Sequence, residues 1–264
     1  MNIRDYIITE TPDYVVINKP AGLLTHGDGK STEPTLVDLI VAEFPEIDGV
    51  GEAAVQWAGY ELVDSTDSPT DNDDAPNRSG IVHRLDRDTS GVMVIARTQE
   101  MYEHLKAQFQ DRSIFKEYHA FVYGIPKRDR GSVNLPIGRE GGNGERFAVP
   151  PRAKGTLREA LTYYQTMNTF RESDISFAFM RCMPKTGRTH QIRVHMKSVG
   201  CPIVADKGYV GKKLLEYTLG FDRQALHARV LKFVDLSGKE IETVAEYPND
   251  FAQAIGKYTK SLSQ

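Results

Sequence analysis

The 264-residue sequence predicts an α+β fold. Segments with strand periodicity outnumber those with helical periodicity, and the two do not alternate regularly, which argues against a doubly wound parallel sheet. A 40% apolar and 9% aromatic composition can fill a substantial core. Tyr14-Val15-Val16-Ile17-Asn18, β-branched and bounded by Pro12 and Pro20, reads as a strand running into a loop with Gly22, Gly27 and Gly29. Thr35 reads as a helix N-cap, with Asp38 three residues on, Leu36, Leu39, Ile40 and Phe44 on one face, and Pro45 as the stop. The stretch 61–79, rich in Asp, Ser, Thr, Asn and Pro, reads as a solvated loop or small insertion. Residues 91–96 form a buried-strand pattern, after which Thr98 can cap a helix carrying Met101, Leu105 and Phe109. Residues 116–124 alternate as a strand, with Tyr118, Ala120 and Val122 facing one way. The Gly-, Arg- and Pro-rich stretch 138–154 reads as a mobile loop. Strand patterns recur at 160–167, 175–182, 226–233 and 240–245, and 189–199 reads as a helix ended by Gly200.

No run of about 18 apolar residues suggests a membrane span. The opening residues mix Arg4, Asp5 and Glu10 with short apolar stretches, unlike a secretory signal. Two cysteines, Cys182 and Cys201, are too few for a disulfide scaffold or a four-cysteine zinc site. Cytoplasmic residence is the expectation. The net charge of −3 conceals a strong asymmetry. Six acidic residues and no Lys or Arg fall between Glu61 and Asp74, so the rest of the chain carries −3 − (−6) = +3. Between Ile175 and Ala205 lie Arg181, Lys185, Arg188, Arg193 and Lys197 without one acidic residue. Such a patch can bind phosphates whatever the total charge, because distant charges are screened beyond about 8–10 Å.

Two segments carry candidate chemistry. The first runs from Gly80 through His83-Arg84-Leu85-Asp86 to Thr89-Ser90-Gly91, with charge packed between an apolar entry and an apolar strand. Asp86 there reads either as a turn residue or as a carboxylate on a cleft floor. The second is Lys185-Thr186-Gly187-Arg188-Thr189-His190-Gln191-Ile192-Arg193-Val194-His195-Met196. On a helix, Thr189, Arg193 and Lys197 share a polar face and Ile192, Met196 and Val199 an apolar one. This is either an ordinary amphipathic helix with a solvated basic side or a phosphate- or carboxylate-recognition element. Lys19 reads as a solvated loop lysine.

Taken together, these segments resemble the RluA-type pseudouridine synthases, whose hallmark is His-Arg-Leu-Asp followed by Thr-Ser-Gly. Asn18-Lys19-Pro20-Ala21-Gly22 with His26 is similar to the family's first motif, Lys116-Glu117-Tyr118-His119-Ala120 with Gly124 to its tyrosine-bearing strand, Thr186 to His195 to its basic motif, and Gln224-Ala225-Leu226-His227-Ala228 to its last strand. The likeness spans about residues 14–252. The acidic stretch, with Trp57 before it, matches no family motif. The first motif begins near Asn18, so no separate N-terminal RNA-binding domain is expected.

The resemblance implies one catalytic domain over residues 1–264, built on a mixed, mainly antiparallel sheet with a central cleft and flanking helices. It implies an isomerase that converts specific uridines to pseudouridine in structured RNA, ribosomal RNA ahead of transfer RNA, acting as a monomer without metal or organic cofactor. By the same resemblance Asp86 is the catalytic carboxylate, Arg193 its ion-pair partner, and Tyr118 the ring that stacks on the base and assists loss of the C5 proton. Arg84 could fill the space left by the flipped base. Arg188, His190 and Lys197 are phosphate-contact candidates. The rivals are a transfer-RNA pseudouridine synthase, a non-catalytic RNA-binding relative and a glycoside hydrolase. The last would need a second carboxyl group about 5–9.5 Å from the first, with Asp88 nearest in sequence. A zinc deaminase lacks its His-x-Glu and Pro-Cys-x-x-Cys signature, and a Ser90–His83–Asp86 triad lacks the nucleophile-elbow pattern.

Overall fold

A computed structural model describes residues 1–27, 33–51, 79–141 and 146–259. The elements follow in the order β1 (Ile7–Glu10), β2 (Tyr14–Lys19), α1 (Leu36–Glu43), β3 (Ser90–Ala96), α2 (Gln99–Gln110), β4 (Phe115–Tyr123), β5 (Arg130–Asn134) and β6 (Ile137–Glu140). They continue through β7 (Phe147–Ala148), β8 (Ala153–Arg158), β9 (Leu161–Glu172), β10 (Ile175–Pro184), α3 (Gln191–Ser198), β11 (Leu226–Val234), β12 (Glu240–Val244) and α4 (Asn249–Tyr258). The acidic stretch 61–74, Trp57 and all of the predicted insertion except Ser79 lie outside the described residues.

Nine strands form one sheet in the order β1-β2-β3-β11-β4-β10-β9-β5, with β12 also on β11. Every pairing is antiparallel except β3 with β11, so the expected mixed, mainly antiparallel sheet is what the chain forms. Sheet order explains the sequence patterns. β3 lies between β2 and β11 and is buried along its whole length, hence its unbroken apolar run. Thr35 caps α1 with the full capping box to Asp38, and Thr98 caps α2 by accepting from the Met101 N–H. Two cores result. One packs Leu36, Ile40, Met101 and Leu105 against β2 and β3. The other packs Phe251 of α4 and Ile192 and Met196 of α3 with Phe121 and Phe179 of β4 and β10.

Three expectations need correction. The stretch 138–154 is not simply a loop: outside residues 142–145, which are not described, it belongs to a second sheet of order β7-β6-β8. Gly138, one of the glycines that suggested mobility, serves close strand approach. A Cβ at Gly138 would lie 3.1 Å from the carbonyl oxygens of both Lys154 and Thr156. The sheet's apolar face, with Ile137 and Phe147, packs on Val194 and Tyr209. Second, the helix predicted from Thr189 starts at Gln191, because His190 precedes it in the left-handed region at φ 55. Its residues Gln191 to Met196 are all buried, so Arg193 on its basic side is enclosed rather than solvated, while Lys197 is half-buried and Val199 is exposed. Third, α4 was not expected. Among the described residues no helix is long and apolar enough to cross a membrane.

Candidate active site

The segment before β3 is held from both sides by residues far away in sequence. Lys19, at 0% exposure, donates to the carbonyls of Pro20, Leu23 and Arg87 at 2.8, 2.7 and 3.0 Å. This corrects its reading as a solvated loop lysine: the three donors of an ammonium group meet three converging acceptors. Burial pushes its pKa down to about 7 while the fields of Asp86 and Asp88 pull it up. The Gly22 N–H donates to Arg87 O at 2.9 Å and the Thr25 hydroxyl to Leu85 O at 3.0 Å. From the other side Arg223 donates to Asp88 O at 2.9 Å and Ser90 Oγ at 3.1 Å, itself anchored on Asp250 at 2.8 and 3.1 Å. Gly91 completes the turn. Its φ is 123, and a Cβ there would sit 2.1 Å from Ala228 O, so β3 can meet β11 only through a glycine.

We expect Lys19→Met to cost roughly 2–4 kcal/mol of stability, since it leaves the Pro20 and Leu23 carbonyls without the donor they share and Arg87 O with only the Gly22 N–H. Urea unfolding measures this, and a midpoint equal to that of the wild type would contradict it.

Asp86 projects from this turn, its side chain 23% exposed, and accepts from Arg193 Nη1 at 2.9 Å. Arg193 is 10% exposed and uses its other edge on Asp206, Nε to Oδ2 at 2.7 Å and Nη2 to Oδ1 at 2.9 Å. Asp206 is buried and also accepts from the Gly208 N–H at 3.1 Å. One guanidinium therefore serves two carboxylates, a fully sequestered one that fixes it and a partly open one. Burial opposes its charge, but hydrogen bonds and fields from Asp206 and Asp86 outweigh that and raise its pKa above the ordinary value. Burial alone would raise the Asp86 pKa. The His190 and Arg193 cations reverse this and hold its carboxyl below the usual value, with Arg84 adding to the effect. Arg193 is the constant contributor, because burial lowers the pKa of His190 itself.

Tyr209 closes one wall. Its ring lies 4.9 Å from the Arg193 guanidinium carbon, and its hydroxyl contacts His190 Nδ1 at 2.8 Å and accepts from the Phe147 N–H at 3.0 Å. Burial pushes its pKa up to about 12. His190 Nε2 stands 3.9 Å from Asp86 Oδ2. Tyr118, on β4 opposite Cys182 of β10, is half-buried where the two cores meet. Burial first, and then the Asp86 charge, raise its pKa, so its phenol keeps its proton at neutral pH.

Asp86, Arg193, Tyr118 and His190 are thus brought to one place, and the exposed Arg84 is close enough to act on Asp86 and His190 through its field. Arg188 and Lys197 sit outside that centre. The former donates to Glu159 O at 3.1 Å, and the Lys197 ammonium lies 5.4 Å from the Tyr209 ring centre. His83 takes no part in a triad: it accepts from the Val94 N–H at 3.2 Å, stacks on Phe109 at 4.7 Å, and is pushed down to about 3 by burial, with Lys116 adding. Ser90 Oγ pairs instead with His227 Nδ1 at 3.0 Å. Asp206 and Tyr209 were missed. The available signal was an isolated Asp after the acid-free run 175–205, just where a buried arginine needs a second anion.

The match to known proteins decides the family. The family model for RNA pseudouridylate synthase matches residues 13–198.

The chain belongs to the RNA pseudouridylate synthase family.

An RNA pseudouridine synthase of Synechocystis is 34% identical over 255 residues, covering 96% of this chain and 69% of that protein. Ribosomal large subunit pseudouridine synthase D of Zymomonas mobilis is 34% identical over 250 residues, covering 92% of this chain and 69% of its own length. Among solved structures, Human RNA Pseudouridylate Synthase Domain Containing 4 superimposes with a TM-score of 0.68 at 25% identity, covering 96% of this chain and 93% of that one. As a pseudouridylate synthase the protein is an isomerase, and the resemblance read from the sequence motifs names the same family.

Proposed function

We propose that this synthase converts a uridine of large-subunit ribosomal RNA to pseudouridine, with Asp86 as catalytic carboxylate, Arg193 as its ion-pair partner and Tyr118 against the base. The observation that carries the reading is a partly exposed carboxylate, held ionised by an arginine that a second, buried carboxylate locks in place. The ribosomal preference is supported by several relatives, among them those of Zymomonas mobilis and Pseudomonas aeruginosa, that bear the name ribosomal large subunit pseudouridine synthase D.

In the reaction the C1′–N1 bond breaks, the uracil turns, a C1′–C5 bond forms, and the C5 proton is lost while N1 gains one. Nothing is oxidised or reduced, so no redox partner is needed. Asp86 either attacks C1′ and later leaves, or takes a proton from the sugar; both roles need the ionised form. Tyr118 keeps its proton in the free protein, so as a base toward C5 it must release its own proton as it accepts one. A base reaches this pocket only after leaving its stack, at a cost of a few kcal/mol, and Arg84 at the exposed rim suits the vacated space. Arg188, His190 and Lys197 are phosphate-contact candidates, with His190 the nearest to Asp86. The arrangement disfavours a glycoside hydrolase. The carboxylate linked to Asp86 is Asp206, and its oxygens are taken up by Arg193 and Gly208.

Mapping pseudouridines in RNA from cells with and without the gene tests the proposal. Loss of one or a few large-subunit sites is expected. Loss confined to transfer RNA would transfer the assignment there.

The ionised state of Asp86 also sets a pH dependence. Its pKa in the folded protein lies below its ordinary value, so the rate should show no acid limb from this group between pH 8 and about pH 5. Its contribution to stability is likewise present above the ordinary carboxyl pKa and lost only as pH falls through the lower folded one. In Arg193→Met, burial is no longer opposed by that cation, and an acid limb should move up into the working range. A single-turnover pH series on both proteins checks this.

A further inference from the structure

The ladder between β4 and β10 ends at Tyr118 opposite Cys182. Beyond it the two strands part. β4 follows β11, with Lys116 opposite Leu231, and β10 follows β9, with Met183 opposite Tyr163. Between them opens a cavity of ≈ 570 Å³ whose lining includes Lys116, Lys185 and Arg130 and no Asp or Glu. None of these three cations forms an ion pair with a described residue. Lys116 is half-buried, its ammonium 5.8 Å from the centre of the Phe109 ring. Burial first, then the charges of Lys185 and Arg112, push its pKa down to about 8. Several cations held together without a counter-charge leave a positive potential that an anion would relieve.

The walls are aromatic. Tyr163 is 43% exposed at the rim. Tyr164 lies across Gly131, where a Cβ would meet its hydroxyl at 2.6 Å, so the width of the cavity depends on that glycine. Cations beside an exposed ring are the combination that holds single-stranded nucleic acid, phosphate on charge and base on ring. The cavity also adjoins the reacting centre. Lys116 and Tyr118 are two residues apart on one strand, so they share a face at a separation of about 7 Å. A Cβ at Gly187, three residues before His190, would stand 3.9 Å from Lys116 Nζ.

We infer that this cavity is a subsite for a nucleotide neighbouring the target uridine, its phosphate on Lys116, Lys185 and Arg130 and its base against Tyr163. The inference rests on the proposed uridine pocket at Asp86 and Tyr118, and it makes the protein a reader of the single strand on one side of its target. The test is equilibrium binding of a fluorescent decauridylate RNA to the full chain across a salt series. Lys116→Met and Lys185→Met should each lower the slope of log affinity against log salt by about 0.7. Tyr163→Ala should weaken binding by about 5- to 150-fold and leave the slope unchanged. Thermal melting confirms that each variant is folded, and Lys185, being exposed, keeps the test open should Lys116→Met not fold. Unchanged slopes in folded variants would overturn the subsite. So would uridine monophosphate binding that Lys116→Met abolishes while RNA binding stays intact, which would mark a site for a free nucleotide. Pseudouridine yield is scored separately. Slopes that fall as expected with no ribosomal target would leave the subsite standing and remove the ribosomal proposal, and the converse pattern would do the reverse.

Discussion

Asp86→Asn should reduce pseudouridine formation by at least about 10⁴-fold while leaving the fold intact. The substitution keeps the shape of the side chain and an oxygen that can still accept from Arg193. It removes the charge that both available roles of the carboxylate require. Stability should barely change, because Arg193 keeps both of its contacts to Asp206. What is lost is the modest net gain from ionising Asp86 beside Arg193, which its lowered pKa reports. The expected signature is therefore a melting temperature within a few degrees of the wild type and a single-turnover rate near background. If the variant retains more than about a hundredth of the wild-type rate, Asp86 is not the catalytic carboxylate.

Arg193→Met should fail in both respects. The guanidinium is the counter-charge for Asp206, whose side chain is 1% exposed, as well as for Asp86. Breaking a buried pair from one side costs about 3–5 kcal/mol, because the remaining charge is stranded. At roughly 2–4 °C per kcal/mol for a chain of about this size, melting should fall by about 6–20 °C. Activity should fall by about 10²–10⁴-fold even well below the new melting temperature, since Asp86 loses both its orientation and the cation that keeps it ionised. Asp206→Asn separates the two effects. It should lower stability and loosen Arg193 without touching the reacting atoms, and its loss of rate should be smaller than that of Arg193→Met. Calorimetry with single-turnover rates on the three variants checks the ordering.

Much of the fold could be read from local signals because those signals act locally. Thr35 with Asp38 is a capping box in the sequence and in the structure, and the unbroken apolar run of β3 follows from its place between two other strands. α4 was legible and overlooked, since Phe251, Ala254, Ile255 and Tyr258 fall at helical spacing after Pro248. The second sheet was not legible. In β6 to β8 glycine serves strand approach, and composition alone cannot distinguish that from a flexible loop. The candidate site divides in the same way. Asp86 and Arg193 lie 107 residues apart, and only a family resemblance could pair them beforehand. No periodicity reveals that Lys19 faces inward. Its burial follows from three carbonyls that converge only after Pro20, Leu23 and Arg87 have come together.

The clamp on the turn that carries Asp86 has a kinetic consequence. One jaw is Lys19 at the end of β2, and the other is Arg223, 135 residues beyond the carbonyl of Asp88 that it holds. The parallel pairing of β3 with β11, which Gly91 permits, must also form before the turn is enclosed. Contacts of such long range are slow to close, because the entropy of the loop is lost before any of them forms. A nascent polypeptide still lacking β11 would therefore hold Asp86 on an unsecured segment, however well β2 and β3 had already paired. During refolding, catalytic competence should appear as a late phase behind the bulk of the secondary structure. Enzymatic activity would then report the last long-range closure rather than the first collapse.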